Sequence, residues 1–151
     1  MTLHVDHSMT RKIVTIGPET SPDIARRIMK EANFRHLPVI NQDGSLVGIL
    51  SDRDLLSCQN CPSDADSIET VEQCMTPNPL TCTKDISMQE VAKIMIDRKI
   101  DCLPIVEGGE LVGLITSTDL LELLASGRMS DEPRIPWNFQ FANMTPVQPI
   151  P

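Results

Sequence analysis

A hydroxyl residue followed three positions later by an aspartate occurs twice, as Ser51-Asp52-Arg53-Asp54 and as Thr116-Ser117-Thr118-Asp119. Ser51 and Thr116 are good helix N-caps, and Asp54 and Asp119 then fall in the first helical turn, beside free N–H groups and the positive end of the helix dipole. Such a corner suits an anionic or hydroxyl-rich ligand, although helix-start carboxylates also occur with no ligand at all. Arg35 and His36 add charge-assisted donors that match phosphate oxygens, or they form a solvated strand start. Cys58 and Cys61 make a C-x-x-C that follows a helix end instead of opening a helix after a strand, so a thioredoxin-type role does not fit. With Cys74 as the nearest third sulfur, a zinc site would lack a fourth ligand unless a dimer mate supplied it. No nucleophile stands with a base, and no paired-carboxylate site or phosphate loop occurs, so neither catalysis, a resident cofactor nor a metal is expected.

The elements that must carry these residues are written twice. Met9-Thr10 recurs as Met75-Thr76, and Leu37-Pro38 as Leu103-Pro104, 66 residues on; Leu46-Val47-Gly48 recurs as Leu111-Val112-Gly113, now 65 on. The one-residue slip falls between Asn41-Gln42-Asp43-Gly44 and Glu107-Gly108-Gly109, turn-forming stretches where a deletion costs little. Each copy opens with a β-prone run, 13–16 and 80–83. A helix follows, capped by Ser21 with Pro22 at its first position, or by a Ser87/Glu90 capping box. Apolar positions at helical spacing, including Ile24, Ala25, Ile28 and Met29, then Met88, Val91, Ile94 and Met95, demand a sheet to pack on. Near-continuous apolar runs at 36–40 and 102–106, Gly-bearing turns and further runs at 46–50 and 111–115 supply it as hairpins. Second helices open at Ser51 and Thr116, the later one ending at Gly127. The expected fold class is α+β: a β-α-β-β-α unit of about fifty residues, repeated and packed with pseudo-twofold symmetry, because so small a unit seldom holds a sufficient core alone.

Composition narrows the classes. With 151 residues, 40% hydrophobic and 23% charged, the chain is globular; its formal charge of -8 argues against a nucleic acid backbone partner. No apolar run is long enough to span a membrane, and the first ten residues lack signal-peptide character, so a cytoplasmic location is expected. Five cysteines, an odd number without a regular framework, fit free thiols in a reducing compartment. Trp137, Phe139 and Phe141, three of the four aromatic residues, alternate in a proline-rich tail, which suits an extended arm docking on this module, its dimer mate or a target protein.

The runs Arg35-His36-Leu37-Pro38-Val39 and Leu46-Val47-Gly48-Ile49-Leu50-Ser51-Asp52-Arg53-Asp54-Leu55, with their second-copy counterparts, resemble the cystathionine-β-synthase (CBS) domain pattern, here as a tandem pair similar to free-standing acetoin-utilisation CBS proteins. The resemblance divides the chain into a first CBS domain at 9–59, a linker at 60–70, a second CBS domain at 71–127 and a tail at 128–151. It implies a non-catalytic regulatory module that binds an adenosine-type ligand (AMP, ADP, ATP, S-adenosylmethionine or a dinucleotide) in the cleft between the repeats, and a homodimer that acts on a target protein. A first-turn carboxylate can accept both hydroxyls of a ribose, and Ile49 and Leu114 would wall an adenine ring. By the same resemblance the Asp54 pocket would use Leu80 and Asp101 from the other copy, and the Asp119 pocket Val14 and Arg35. The copies differ where phosphate would bind: Arg35, His36 and Arg53 in the first stand against Asp101, Cys102 and Thr118 in the second, so the two sites are expected to differ in affinity or ligand. Alternatives are a scaffold with empty pockets and a thiol or zinc switch at Cys58 and Cys61.

Overall fold

A computed structural model of the chain describes residues 13–59 and 68–127. These fall into two compact units, Val14–Pro79, and Ile13 with the residues from Leu80 onward. No helix among the described residues is long and apolar enough to cross a membrane.

In the first unit Ser21 caps α1 (Pro22–Ala32) by accepting from the Ile24 N–H at 3.3 Å, and Asn33 ends it in the left-handed conformation at φ 57°. Ala25 and Met29 turn inward at helical spacing onto Leu37, Val39 and Leu50. These belong to the antiparallel hairpin of β1 (His36–Ile40) and β2 (Leu46–Ser51). The chain then enters α2 (Asp52–Gln59), whose Leu55 completes that core with Ile16 and Val71.

The second unit repeats this plan. Ser87 and Glu90 form the expected capping box at α3 (Met88–Arg98), with the Glu90 N–H donating to Ser87 Oγ at 3.1 Å and the Ser87 N–H to Glu90 Oε2 at 3.1 Å. Strands β4 (Cys102–Glu107) and β5 (Glu110–Thr116) form the hairpin, and α4 (Ser117–Ala125) closes the unit over Met88, Val91, Met95, Leu103, Ile105, Ile115 and Leu123. Both hairpins carry an irregularity at the same place, after Val39 and after Ile105. The slip of one residue is confined to the turns: Gly108 and Gly109, at φ 58° and 83°, make a tight two-residue reversal, while the first copy uses a longer loop through Gly44.

Two features depart from the sequence reading. The β-prone runs at 13–16 and 80–83 shrink to single parallel bridges, Ile16 with Val39 and Cys82 with Ile105. The carbonyls of Pro38 and Pro104 accept from the Ile16 and Cys82 N–H groups at 3.0 Å, but the preceding rung of each parallel ladder would need an N–H from Pro38 or Pro104, which proline lacks. Second, the segment opening the second sequence copy packs in the first unit. A 3₁₀ turn at Val71–Gln73 inserts Val71, fully buried, into the first core, and β3 (Thr76–Pro77) pairs with Gly48 and Ile49 as a third strand. Repeat in sequence and unit in space are thus out of step.

Candidate functional site

Period-two alternation along the hairpins sorts the candidate residues. Leu50 and Ile115 face the helices as members of the two cores; Ile49 and Leu114, one residue earlier, are buried but outside those clusters, on the opposite sheet face. Ser51 and Thr116 share that opposite face two residues on. Register adds the first strand: His36 lies across from Ser51 and Pro38 from Ile49, as Cys102 lies across from Thr116 and Pro104 from Leu114. An apolar wall, a hydroxyl and the residue preceding the Leu-Pro strand therefore stand together in each repeat.

The helix entrances add the carboxylates. The Ser51 N–H donates to Asp54 Oδ2 at 2.8 Å while the Asp54 N–H donates to Ser51 Oγ at 3.0 Å, a full capping box where hydroxyl and dipole alone were expected. At α4 the Thr116 N–H reaches Asp119 Oδ2 at 2.7 Å, the Asp119 N–H reaches Thr116 Oγ1 at 3.3 Å, and the Thr116 hydroxyl also lies 3.0 Å from Asp119 Oδ2. The boxes hold each carboxylate in one orientation. Among the described residues no hydrogen bond engages Oδ1 of Asp54, which leaves an oriented acceptor, and both Asp54 and Asp119 are half-buried.

The backbone just before the Leu-Pro strand seals each entrance: the Asp52 N–H donates to the Arg35 carbonyl and the Ser117 N–H to the Asp101 carbonyl, both at 3.0 Å. Charge there differs between repeats. Arg35 and Arg53 are exposed at the first entrance; Asp101 and Thr118 are exposed at the second. Burial, and then the negative charges of Asp101 and Asp119, push the Cys102 thiol up to about 12, so it stays protonated at neutral pH and reports an electronegative corner. Val14 packs on the first core and Leu80 is 44% exposed; the sets expected by resemblance, Asp54 with Leu80 and Asp101 and Asp119 with Val14 and Arg35, each join residues of different units.

Among the described residues no group of three or more His, Cys, Asp or Glu side chains could hold a metal. Cys61 of the C-x-x-C, most of the linker and the aromatic tail with Trp137, Phe139 and Phe141 lie outside the described residues. A groove of about 290 Å³ on the α1/α2 side, lined by Met29, Phe34, Leu55 and Leu56 with Arg26, Lys30 and Asp52 at its polar positions, contains none of the candidate residues. Sequence reasoning missed Met75. A Cβ added at Gly48 would collide with Met75 Sδ, so the glycine of the Leu-Val-Gly strand leaves the room that the Met75 side chain occupies.

Duplicated helix-hairpin-helix units with a hydroxyl-carboxylate box at each second helix define a tandem small-domain module. The CBS domain family matches residues 4–60 and 71–126, and the chain belongs to that family. It is 40% identical over 111 residues to an inosine-5′-monophosphate dehydrogenase of Korarchaeum cryptofilum, covering 73% of this chain and 22% of the enzyme; the chain thus spans about a fifth of that relative's length. Similar solved structures include CBSX2 in complex with AMP (28% identity, 82% of this chain and 97% of that one, TM-score 0.74). The CBS domain pair of protein MJ0100, in complex with 5′-methylthioadenosine and S-adenosyl-L-methionine, is 27% identical, with 85% of this chain and 100% of that one covered and a TM-score of 0.76. An acetoin utilization protein (AcuB) from Vibrio cholerae is 31% identical, with 83% and 93% covered and a TM-score of 0.72.

Proposed function

We propose that the chain is a non-catalytic regulatory module that binds adenosine-type ligands at the entrances of α2 and α4. The observation that carries this reading is the oriented Asp54 carboxylate: one oxygen is held by the Ser51 N–H and the other has no hydrogen bond among the described residues, beside the apolar Ile49 on the same strand end. A ribose offers two hydroxyl donors to such a group, and an adenine ring an apolar face to such a wall. The AMP complex of CBSX2 and the methylthioadenosine and S-adenosylmethionine complex of the MJ0100 pair support the ligand class. The matched part of the dehydrogenase is about a fifth of that enzyme, which suits an accessory regulatory segment.

Completion of each site by residues of the other repeat, Leu80 and Asp101 for Asp54 and Val14 and Arg35 for Asp119, is part of the proposal. So are a cytoplasmic setting, a homodimer and a downstream target protein. The dimer is supported by Leu56 and Leu121, equivalent positions of α2 and α4 that are 58% and 64% exposed, with Leu124 beside the latter at 61%. Isothermal titration of the full chain with AMP, ATP and S-adenosylmethionine tests the proposal. Two unequal sites, or one, are expected, because only the first repeat carries Arg35, His36 and Arg53; no heat and no thermal shift with any adenosine compound would refute ligand binding and favour a scaffold role.

A further inference from the structure

We propose that two copies of the chain associate head to tail, the exposed α3/α4 face of the second unit of one copy filling the α1/α2 groove in the first unit of the other. The inference rests on the homodimer proposed above and states which faces meet. Within the units α3 packs beside α4 as α1 does beside α2, so the repeat maps the groove residues of one unit onto the surface of the other. Leu56 keeps an apolar counterpart in Leu121, but the charged groove residues Arg26, Lys30 and Asp52 give way to Ala92, Ile96 and Ser117. The first face is thus a groove of about 290 Å³ edged by charge. The second is uncharged at all the matching positions and presents Ile96, 74% exposed, with Leu121 and Leu124.

Each face could instead meet its own copy. Two grooves set against each other would enclose unfilled space, and would bring together two Lys30 ammonium groups that have no ion pair among the described residues. Two second-unit faces would bury their own apolar side chains but leave both grooves, with Phe34 and the exposed Leu56, in water. The crossed arrangement covers all four faces: branched side chains enter the groove, and the stems of Arg26 and Lys30 lie along its edge with their charged heads in water. Ala92, Ile96 and Ser117 offer nothing to repel those cations. The two contacts are reciprocal and close the assembly at two copies.

Sedimentation velocity on the full chain, with helicity checked by circular dichroism, tests the pairing through charge. Leu56→Glu and Leu121→Lys should each weaken the dimer roughly 100-fold, because each sets a lone charge against a leucine. Combined in one chain they set opposite charges against each other at both crossed contacts and should recover at least about tenfold, whereas Leu56→Glu with Leu121→Glu sets like charges together and should recover nothing. If like faces meet, the first combination is weaker than either single variant. That result, an absence of recovery, or full dimerisation of either single variant overturns the head-to-tail pairing alone. A parent chain that sediments as a monomer overturns the homodimer itself and this pairing with it. Zero-length cross-linking of mixed isotope-labelled and unlabelled parent chains needs no variant to fold: a link between copies from Lys30 to Glu122, the neighbour of Leu121, is expected. Links between copies from Lys93 or Lys99 to Glu122 in its place would overturn the proposal.

Discussion

Replacing Asp54 separates the structural from the ligand-binding use of one carboxylate. In Asp54→Asn the amide oxygen can still accept from the Ser51 N–H, which now reaches Oδ2 at 2.8 Å, so α2 keeps its cap. The second oxygen becomes an NH₂ donor, and the negative charge is gone. A hydrogen bond from a ligand hydroxyl to a charged acceptor is worth about 1.5–3 kcal/mol, so the Asn variant should bind AMP or S-adenosylmethionine at the first site roughly 10- to 100-fold more weakly. Asp54→Ala also removes the carboxylate half of the capping box while Ser51 Oγ keeps its bond, a loss of about 1 kcal/mol that should lower Tm by roughly 3–5 °C, whereas Asn should leave it nearly unchanged. Titration calorimetry with circular dichroism melting on both variants reads the two effects separately. If the Asn variant binds adenosine compounds as tightly as the parent at a site mapped to α2, the carboxylate grips no ribose and the assignment fails.

Gly48→Ala should destabilise the first unit by about 1–3 kcal/mol through overpacking against Met75, and Met75→Ala in the same chain should recover part of the loss in urea unfolding. The Cys102 thiol is pushed up to about 12 from 9.0, so the folded state binds more protons than the unfolded state between those values; stability is fully present below pH 9 and should fall by up to about 4 kcal/mol as pH rises toward 12. Alkaline unfolding of Cys102→Ala against the parent, each normalised to its stability at pH 8, should show the shallower loss in the variant. Glutamate at Leu56 and Leu121 should shift sedimentation toward the monomer without lowering the monomer's helicity, if those exposed leucines form the proposed dimer contact.

The paired architecture was legible because the signals that specify it are local and occur twice. Ser21, Ser87 and Glu90 announce helix starts by capping chemistry, and alternation in Leu46–Ser51 and Glu110–Thr116 shows which residues share a sheet face. Resemblance to the CBS pattern grouped Ile49, Ser51 and Asp54, and Leu114, Thr116 and Asp119, and the alternation of the strands puts the first two of each set on one face. What stayed hidden is non-local. A two-residue strand such as Thr76–Pro77 carries no periodicity that names its partner, and Val71 next to a linker gives no sign that it belongs to the core before that linker. The shortness of the first strands follows from Pro38 and Pro104 on the partner strands, which have no N–H to donate to the preceding rung of a ladder whose residues otherwise have good β propensity.

The displacement of Val71 and β3 into the first unit bears on how the molecule can be taken apart. Scissors placed at the apparent linker would strip the leading half of a fully buried valine and its third strand, leaving β2 with a raw edge and Gly48 with a vacant groove, while the trailing half would drag an orphaned apolar stub. A cut between Pro79 and Leu80 keeps Val71 and β3 with the first core but strands buried Ile13, which belongs with the residues after Leu80, on the leading fragment. A duplication knit this way resists dissection: neither copy, excised by its own sequence boundaries, carries everything its partner's stretch of chain supplies.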